Sequence, residues 1–247
     1  MANRFRMIAG PNGSGKSTLV DWLRRDFAVN FYSLLNADDV FAQVKRTQAF
    51  FPPFPVSAES LKSYASLSGY SDVETARFAC GEIHVERDCV RFETAESVNS
   101  YTVALLVNFL QDECINRGVS FSQETVFSHP SKLAALRKAK EAGFRTYLYY
   151  VATETPAVNA VRVLNRFAQG GHDVPPAKIV ARHGRSLAQV AQALPYLSRA
   201  FFFDNSSESM RFLASYSEES GLSLSVSEPA LPRWFATHVL RTISSVG

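Results

Sequence analysis

Apolar positions along the chain fall into short blocks whose period switches between that of a strand and that of a helix. Residues 4–9 read as a strand, and helical spacing follows over 17–27, where Leu19, Trp22, Leu23 and Phe27 share a face. A second run at 31–35 ends in Asn36-Ala37-Asp38-Asp39 and predicts a strand followed by a helix from Val40. The alternation continues with a long helix over 94–117 closed by Gly118, a strand over 119–125, a helix over 131–142 closed by Gly143, and a strand over 144–151. Thr155 caps a helix with Pro156 in its first position, and Asp173-Val174-Pro175-Pro176 opens the next. The segment 200–204 is a further strand, 210–216 and 222–227 pair as late strands, and 231–244 closes the chain as a helix with Trp234 in the core. Strands alternating with helices predict an α/β fold: a parallel sheet with flanking helices, in three layers.

One stretch breaks the rhythm. Phe50-Phe51-Pro52-Pro53-Phe54-Pro55 is incompatible with a helix interior. A short helix over 57–68 and a small hairpin around Arg87-Asp88 are the regular features expected between 47 and 93. With no linker composition on either side, this reads as an insertion in a single domain spanning 1–247. It serves either as a lid over a substrate or as a surface excursion.

Composition narrows the class. The chain has 247 residues, 46% of them hydrophobic, enough for one large α/β core. The net charge of +3 is too mild to make nucleic acid the expected partner. Cys80, Cys89 and Cys114 form no C-x-x-C pair, which fits a reducing compartment, and Cys80, His84 and Cys89 match no standard zinc spacing. No leader sequence is legible and no apolar run reaches the length of a membrane span, so a soluble cytoplasmic protein is expected.

The candidate chemistry starts after the first strand. Gly10-Pro11-Asn12-Gly13-Ser14-Gly15-Lys16-Ser17-Thr18 fits Gly-x-x-x-x-Gly-Lys-Ser, the phosphate-binding loop of nucleotide-binding enzymes. Backbone N–H groups converge there on an anion at a helix N-terminus. Lys16 is placed for the β- and γ-phosphates and the Ser17 hydroxyl for Mg²⁺. The pattern predicts a bound nucleoside triphosphate. In an open α/β sheet, ligands lie beyond the carboxyl ends of the strands. Asp38 and Asp39 fall at such an end, as a base for a substrate hydroxyl or as helix caps. Glu124 and Thr125 end another strand, and Glu124 is expected to hold a substrate hydroxyl or the Mg²⁺ water shell. Arg162 and Arg166 lie four apart on one helix, and Arg182 and Arg185 three apart on the next. These pairs flank Gly170-Gly171 and read as a clamp for a transferring phosphate. Asn205-Ser206-Ser207 is expected near the nucleotide base. The helix over 131–142 is basic on one face, the single feature favouring a nucleic-acid end as the acceptor.

The order of these motifs resembles the zeta toxin family of P-loop kinases, in its shorter bacterial branch. Gly-Pro-Asn-Gly-Ser-Gly-Lys-Ser-Thr is followed by Asn-Ala-Asp-Asp, then Gln-Glu-Thr, then Arg-x-x-x-Arg-x-x-x-Gly-Gly-His-Asp-Val-Pro. The resemblance covers about 4–45 and 94–206. It implies a kinase that moves the γ-phosphate of ATP, with Mg²⁺, to a sugar hydroxyl of UDP-N-acetylglucosamine, and it admits an antitoxin protein as partner. By resemblance Asp38 is the base, Glu124 the acid at the substrate site, and Arg162 and Arg166 cations at the transferring phosphate. Arg182 or Arg185 takes the place of a second lid arginine. Another hydroxyl acceptor, such as an antibiotic, or nucleotide-gated binding without transfer, are the alternatives.

Overall fold

A computed structural model describes residues 2–69, 72–168 and 174–244. The chain divides into two compact units, one made of residues 1–32 and 118–247 and the other of residues 33–117. The first begins with β1 (Arg4–Ala9), buried from Phe5 onward, and α1 (Lys16–Phe27). Of the apolar face expected for α1, Leu19 and Leu23 are buried and Trp22 half-buried, Val20 joins them, and Phe27 at the last turn is exposed.

The second unit opens with β2 (Ser33–Asn36) and α2 (Ala37–Thr47). β3 (Ala49–Phe50), α3 (Ala58–Leu67) and α4 (Asp72–Ala79) follow. β4 (Ile83–Glu86) and β5 (Cys89–Phe92) form the hairpin expected from the sequence. Glu86 pairs with Cys89, so Arg87-Asp88 is a two-residue loop, and Arg87 takes left-handed backbone (φ 53). With β3 they make a small antiparallel sheet in the order β3-β5-β4. The long helix α5 (Ser100–Asn116) starts later than its apolar pattern predicts. Asn99 Oδ1 accepts from the N–H groups of Tyr101 and Thr102, while Thr102 Oγ1 accepts from Asn99 N–H. That reciprocal cap fixes the start, and the preceding turn is tied by Ser97 Oγ donating to Thr94 O at 2.6 Å.

The chain then returns to the first unit with β6 (Phe121–Thr125), α6 (Ser131–Glu141) and β7 (Arg145–Ala152). α7 (Pro156–Ala168), α8 (Pro176–Val190), β8 (Arg199–Asp204), β9 (Arg211–Ser217) and β10 (Gly221–Leu224) follow. A last helical run, Arg233–Phe235 and Arg241–Ser244 around a π turn at Ala236–Leu240, closes it. The strands of this unit lie in the order β10-β9-β8-β7-β1-β6. β6, β1, β7 and β8 are parallel, and β9 and β10 run antiparallel at the edge.

Two faces of this sheet are covered, giving three layers. On one, Trp22 of α1 meets Phe203 edge-on and Phe31 meets Tyr149. On the other, Phe235 packs on Phe202, Trp234 packs on Tyr150, and the Tyr150 hydroxyl is bonded to Ser186 of α8 at 2.9 Å. The alternation along β8 explains this. Phe201 and Phe203 face α1, while Phe202 and Asp204 face Trp234. No helix among the described residues is long and apolar enough to cross a membrane.

Candidate active site

β1 lies between β6 and β7, so successive crossovers leave it on opposite sides and open a crevice beyond its carboxyl end. Gly10 to Gly15 fill that crevice. Gly10 N–H donates to Thr125 O at 3.3 Å, tying the start of the loop to β6. Gly13 has left-handed backbone (φ 74), and a Cβ there would stand 2.6 Å from the Asn159 carbonyl oxygen of α7. The loop is thus seated on α7 through a position where only glycine fits.

Side chains outside the motif hold the loop. Asn159 is fully buried, and its Nδ2 donates to the Asn12 carbonyl at 2.5 Å. Its Oδ1 accepts from Thr153 Oγ1. On the far side, Asn205 Nδ2 donates to Ser14 O at 2.9 Å. Lys16 is buried, with Nζ 3.1 Å from Pro11 O. No side chain caps α1, so its first amide groups are left for an anion. Asn12 Oδ1 and Ser14 Oγ are buried beside them without a hydrogen-bond partner among the described residues. Ser17 Oγ lies 3.4 Å from both carboxylate oxygens of Glu124. The strand-end glutamate therefore reaches the loop, and Thr125 follows it with Oγ1 accepting from Phe127 N–H at 3.2 Å.

The segment after β8 is built from a buried acid. Asp204 is 3% exposed; its Oδ1 accepts from Trp234 Nε1 at 2.9 Å and from Ser206 Oγ at 2.7 Å. Ser206 Oγ in turn accepts from Glu154 N–H at 2.8 Å. Arg162 clasps this segment, with Nη1 on Asn205 O at 2.8 Å and Nη2 on Ser207 O at 3.2 Å. Arg166 is exposed, four residues along α7; Arg182 of α8 is half-buried and Arg185 exposed. Gly170, Gly171, His172 and Asp173 lie outside the described residues.

In the second unit, Asn36 caps α2, its Oδ1 accepting from Asp38 N–H at 2.9 Å. The capping role that Asp38 and Asp39 could have filled is therefore taken by Asn36. Both carboxylates stand in the first turn of α2, exposed, where the helix N-terminus favours negative charge. Loss of hydration, and then the charge of Asp38, push the Asp39 carboxyl above the usual carboxylate range.

Asn159, Asn205 and Asp204 carry much of this geometry. A fully polar side chain on the apolar stripe of α7, one turn from Val163, was the available signal for Asn159. The acid ending the Phe-Phe-Phe run was the signal for Asp204.

His183 of α8 is buried and its Nε2–H donates to Thr153 O at 3.1 Å, below the Asn159 strut. Burial pushes its pKa below the ordinary 6.5. The unfolded chain then binds a proton that the folded chain refuses, so stability falls as pH drops below about 6.5. His183→Gln is expected to flatten that fall, read as urea midpoints between pH 7 and pH 5. An unchanged pH slope would contradict it.

Residues 86–209 match the family model described as Zeta toxin. No curated protein matches the chain. One solved structure, from the PezAT chromosomal toxin-antitoxin system of Streptococcus pneumoniae, is 14% identical with a TM-score of 0.52, over 91% of this chain and 75% of that one. The AvrRxo1-ORF1:AvrRxo1-ORF2 complex with sulphate ions gives 15% identity and a TM-score of 0.53, and that with ATP 16% and 0.53. This chain spans 61% of the length of those AvrRxo1 chains. At such identities the likeness is one of fold, the α/β fold of the P-loop kinases. The family match runs from the end of β4 past β8 and leaves Gly10–Thr18 out. It therefore does not rest on a loop that many nucleotide-binding proteins share, and the chain belongs to the Zeta toxin family.

Proposed function

We propose that this protein is an ATP-dependent phosphotransferase that phosphorylates a hydroxyl group of a small molecule. The acceptor that fits the family best is the sugar of a UDP-N-acetylglucosamine-type sugar nucleotide. The observation that carries the reading is the meeting of Ser17 with Glu124 at 3.4 Å, beside a phosphate loop whose first amides no side chain caps.

In this reading the triphosphate lies along Gly10, Pro11, Asn12, Gly13, Ser14, Gly15, Lys16, Ser17 and Thr18. Lys16 leaves Pro11 O for the β- and γ-phosphates. Ser17 and Glu124 offer hard oxygen donors, the class Mg²⁺ prefers; Ser17 would hold the ion, which would supply charge neutralisation between the β- and γ-phosphates. Asp38 accepts the proton of the substrate hydroxyl. That oxygen forms a bond to the γ-phosphorus as the bond from phosphorus to the β-phosphate oxygen breaks, leaving ADP. Glu124, Thr125 and Asp39 position the acceptor. Arg162, Arg166 and one of Arg182 or Arg185 balance the charge that grows on the equatorial oxygens. Arg162 serves from its clasp on Asn205 and Ser207, so the same side chain couples the nucleotide segment to the phosphate. The complexes named for the two relatives above, toxin–antitoxin and ORF1:ORF2, support an antitoxin protein as partner.

The test is phosphate transfer from γ-labelled ATP with Mg²⁺ to UDP-N-acetylglucosamine, with Lys16→Ala as control. Labelled sugar nucleotide that vanishes in the control is expected. ATP binding without labelled product would discard this acceptor while leaving the kinase reading.

A further inference from the structure

Opposite the phosphate loop, where the strands of the first unit begin, the α1-side face of the sheet collects arginines. Arg4 and Arg145 are register partners on β1 and β7. One row further in, Arg6, Tyr147 and Arg199 line up across β1, β7 and β8. Register partners on neighbouring strands project to one face about 5 Å apart, so these side chains share one face of the sheet. The Arg145 guanidinium lies 5.9 Å from the Tyr147 ring, and Arg6 and Arg199 both act on the Tyr149 phenol.

No described carboxylate answers this charge. None of Arg4, Arg6, Arg145 and Arg199 forms an ion pair with a described residue. Asp26, at the end of α1, is held by Arg25 at 2.6 Å, and Glu218, after β9, by Lys140 at 2.8 Å.

Arg6 is the unusual member. It is 8% exposed, with its guanidinium 5.2 Å from the Tyr32 ring and 5.0 Å from the Tyr147 ring. Its Nε and Nη1 are buried without a hydrogen-bond partner among the described residues, and so is Arg4 Nε. Ser122, the register partner of Arg6 on β6, is fully buried and its hydroxyl also lacks one. Buried polar groups, cations above all, are costly when unsatisfied, and aromatic faces offset that cost in part. The exposed member of the cluster is Tyr32, whose hydroxyl accepts from Arg4 Nη1 at 3.1 Å.

We propose that this arginine–tyrosine cluster binds a phosphate-type oxyanion of two or more negative charges, such as pyrophosphate or a phosphate monoester, which takes the place of the Tyr32 hydroxyl on Arg4. Guanidinium forks match phosphate oxygens in pairs, and the oxyanion supplies the acceptors that Arg4 and Arg6 lack. Arg4 and Arg6 already draw the Tyr32 phenol below its ordinary pKa, as a site built for negative charge would. Tyr147 and Tyr149 are too buried to stack successive bases, which favours a small anion over a nucleic-acid strand. The site uses no residue of the Gly10–Thr18 loop, so it stands apart from the proposed kinase reaction.

The experiment is a thermal melt of the Lys16→Ala protein, which weakens phosphate binding at the loop, with inorganic pyrophosphate at constant ionic strength. A saturable rise in Tm beyond that given by chloride is expected by mass action. The rise should be lost in Lys16→Ala carrying Arg145→Gln and Arg199→Gln, both at exposed positions that the fold tolerates. As a second readout, pyrophosphate should shift the 295 nm phenolate titration of Tyr32, identified by its loss in Tyr32→Phe, to higher pH. An equal rise in the arginine variant, or no rise beyond chloride, overturns the site. A larger rise with a single-stranded oligonucleotide than with pyrophosphate overturns the small-anion assignment.

Discussion

Asp38→Asn is expected to lower phosphate transfer by ~10²–10⁴, the range a positioned general base contributes, while ATP binding stays close to that of the parent. The amide matches the carboxyl in shape but does not take up the proton that the hydroxyl must lose. Structure should survive, because Asn36 and not Asp38 caps α2, through a bond to the Asp38 backbone N–H that the substitution keeps. Asp39→Asn is the paired control. It removes a carboxylate whose pKa already stands above the ordinary range next to Asp38, and it should cost far less activity. Single-turnover transfer with labelled ATP and an equilibrium ATP titration separate the two effects. Near-full transfer by the Asp38 variant would mean that another group takes the proton.

Asn159→Ala is expected to be the substitution outside the phosphate motif most damaging to the fold. The side chain is fully buried and satisfies two partners, the Asn12 carbonyl and the Thr153 hydroxyl. Each polar group left buried and unsatisfied costs about 1–3 kcal/mol, so the fold should lose several degrees in Tm. ATP affinity should fall further than stability alone explains, because the Asn12 carbonyl is what the strut fixes. Asn159→Asp distinguishes the roles. It can still accept from Thr153 but presents an oxygen to the Asn12 carbonyl, so it should impair ATP binding more than it impairs the fold. Denaturant midpoints measured beside ATP titrations give both quantities. Equal losses of affinity and stability in the two variants would reduce Asn159 to a core residue.

Much of the fold was legible because local rules act locally. The Gly118 and Gly143 stops, Pro156 at the first position of α7 and the Arg87-Asp88 hairpin all appear where their chemistry puts them. The start of α5 was misplaced by six residues, since apolar spacing continues through 94–99 while the Asn99–Thr102 cap cuts the helix. Propensity carries no information about which of two competing hydrogen-bond sets forms. The late strands 211–217 and 221–224 were legible as a pair, and the short loop between them permits only an antiparallel turn; that the pair extends the main sheet beside β8 was not legible, because it depends on sheet pairing in space.

The sequence by itself determined the phosphate loop, the strand-end glutamate, the arginine-bearing helices and the α/β class, since each is a spacing of residue types along one segment. Tertiary structure alone decided which segments meet. It brought Ser17 to Glu124, seated Gly13 on the backbone of Asn159, tied Asn205 to Ser14 and turned Arg162 onto the Asn205 and Ser207 carbonyls. It also gathered Arg4, Arg6, Arg145 and Arg199 from three strands onto one face. Those contacts join residues far apart in the chain. Their partners are chosen by sheet register and by the need to satisfy every buried polar group, and neither quantity exists before the strands pair.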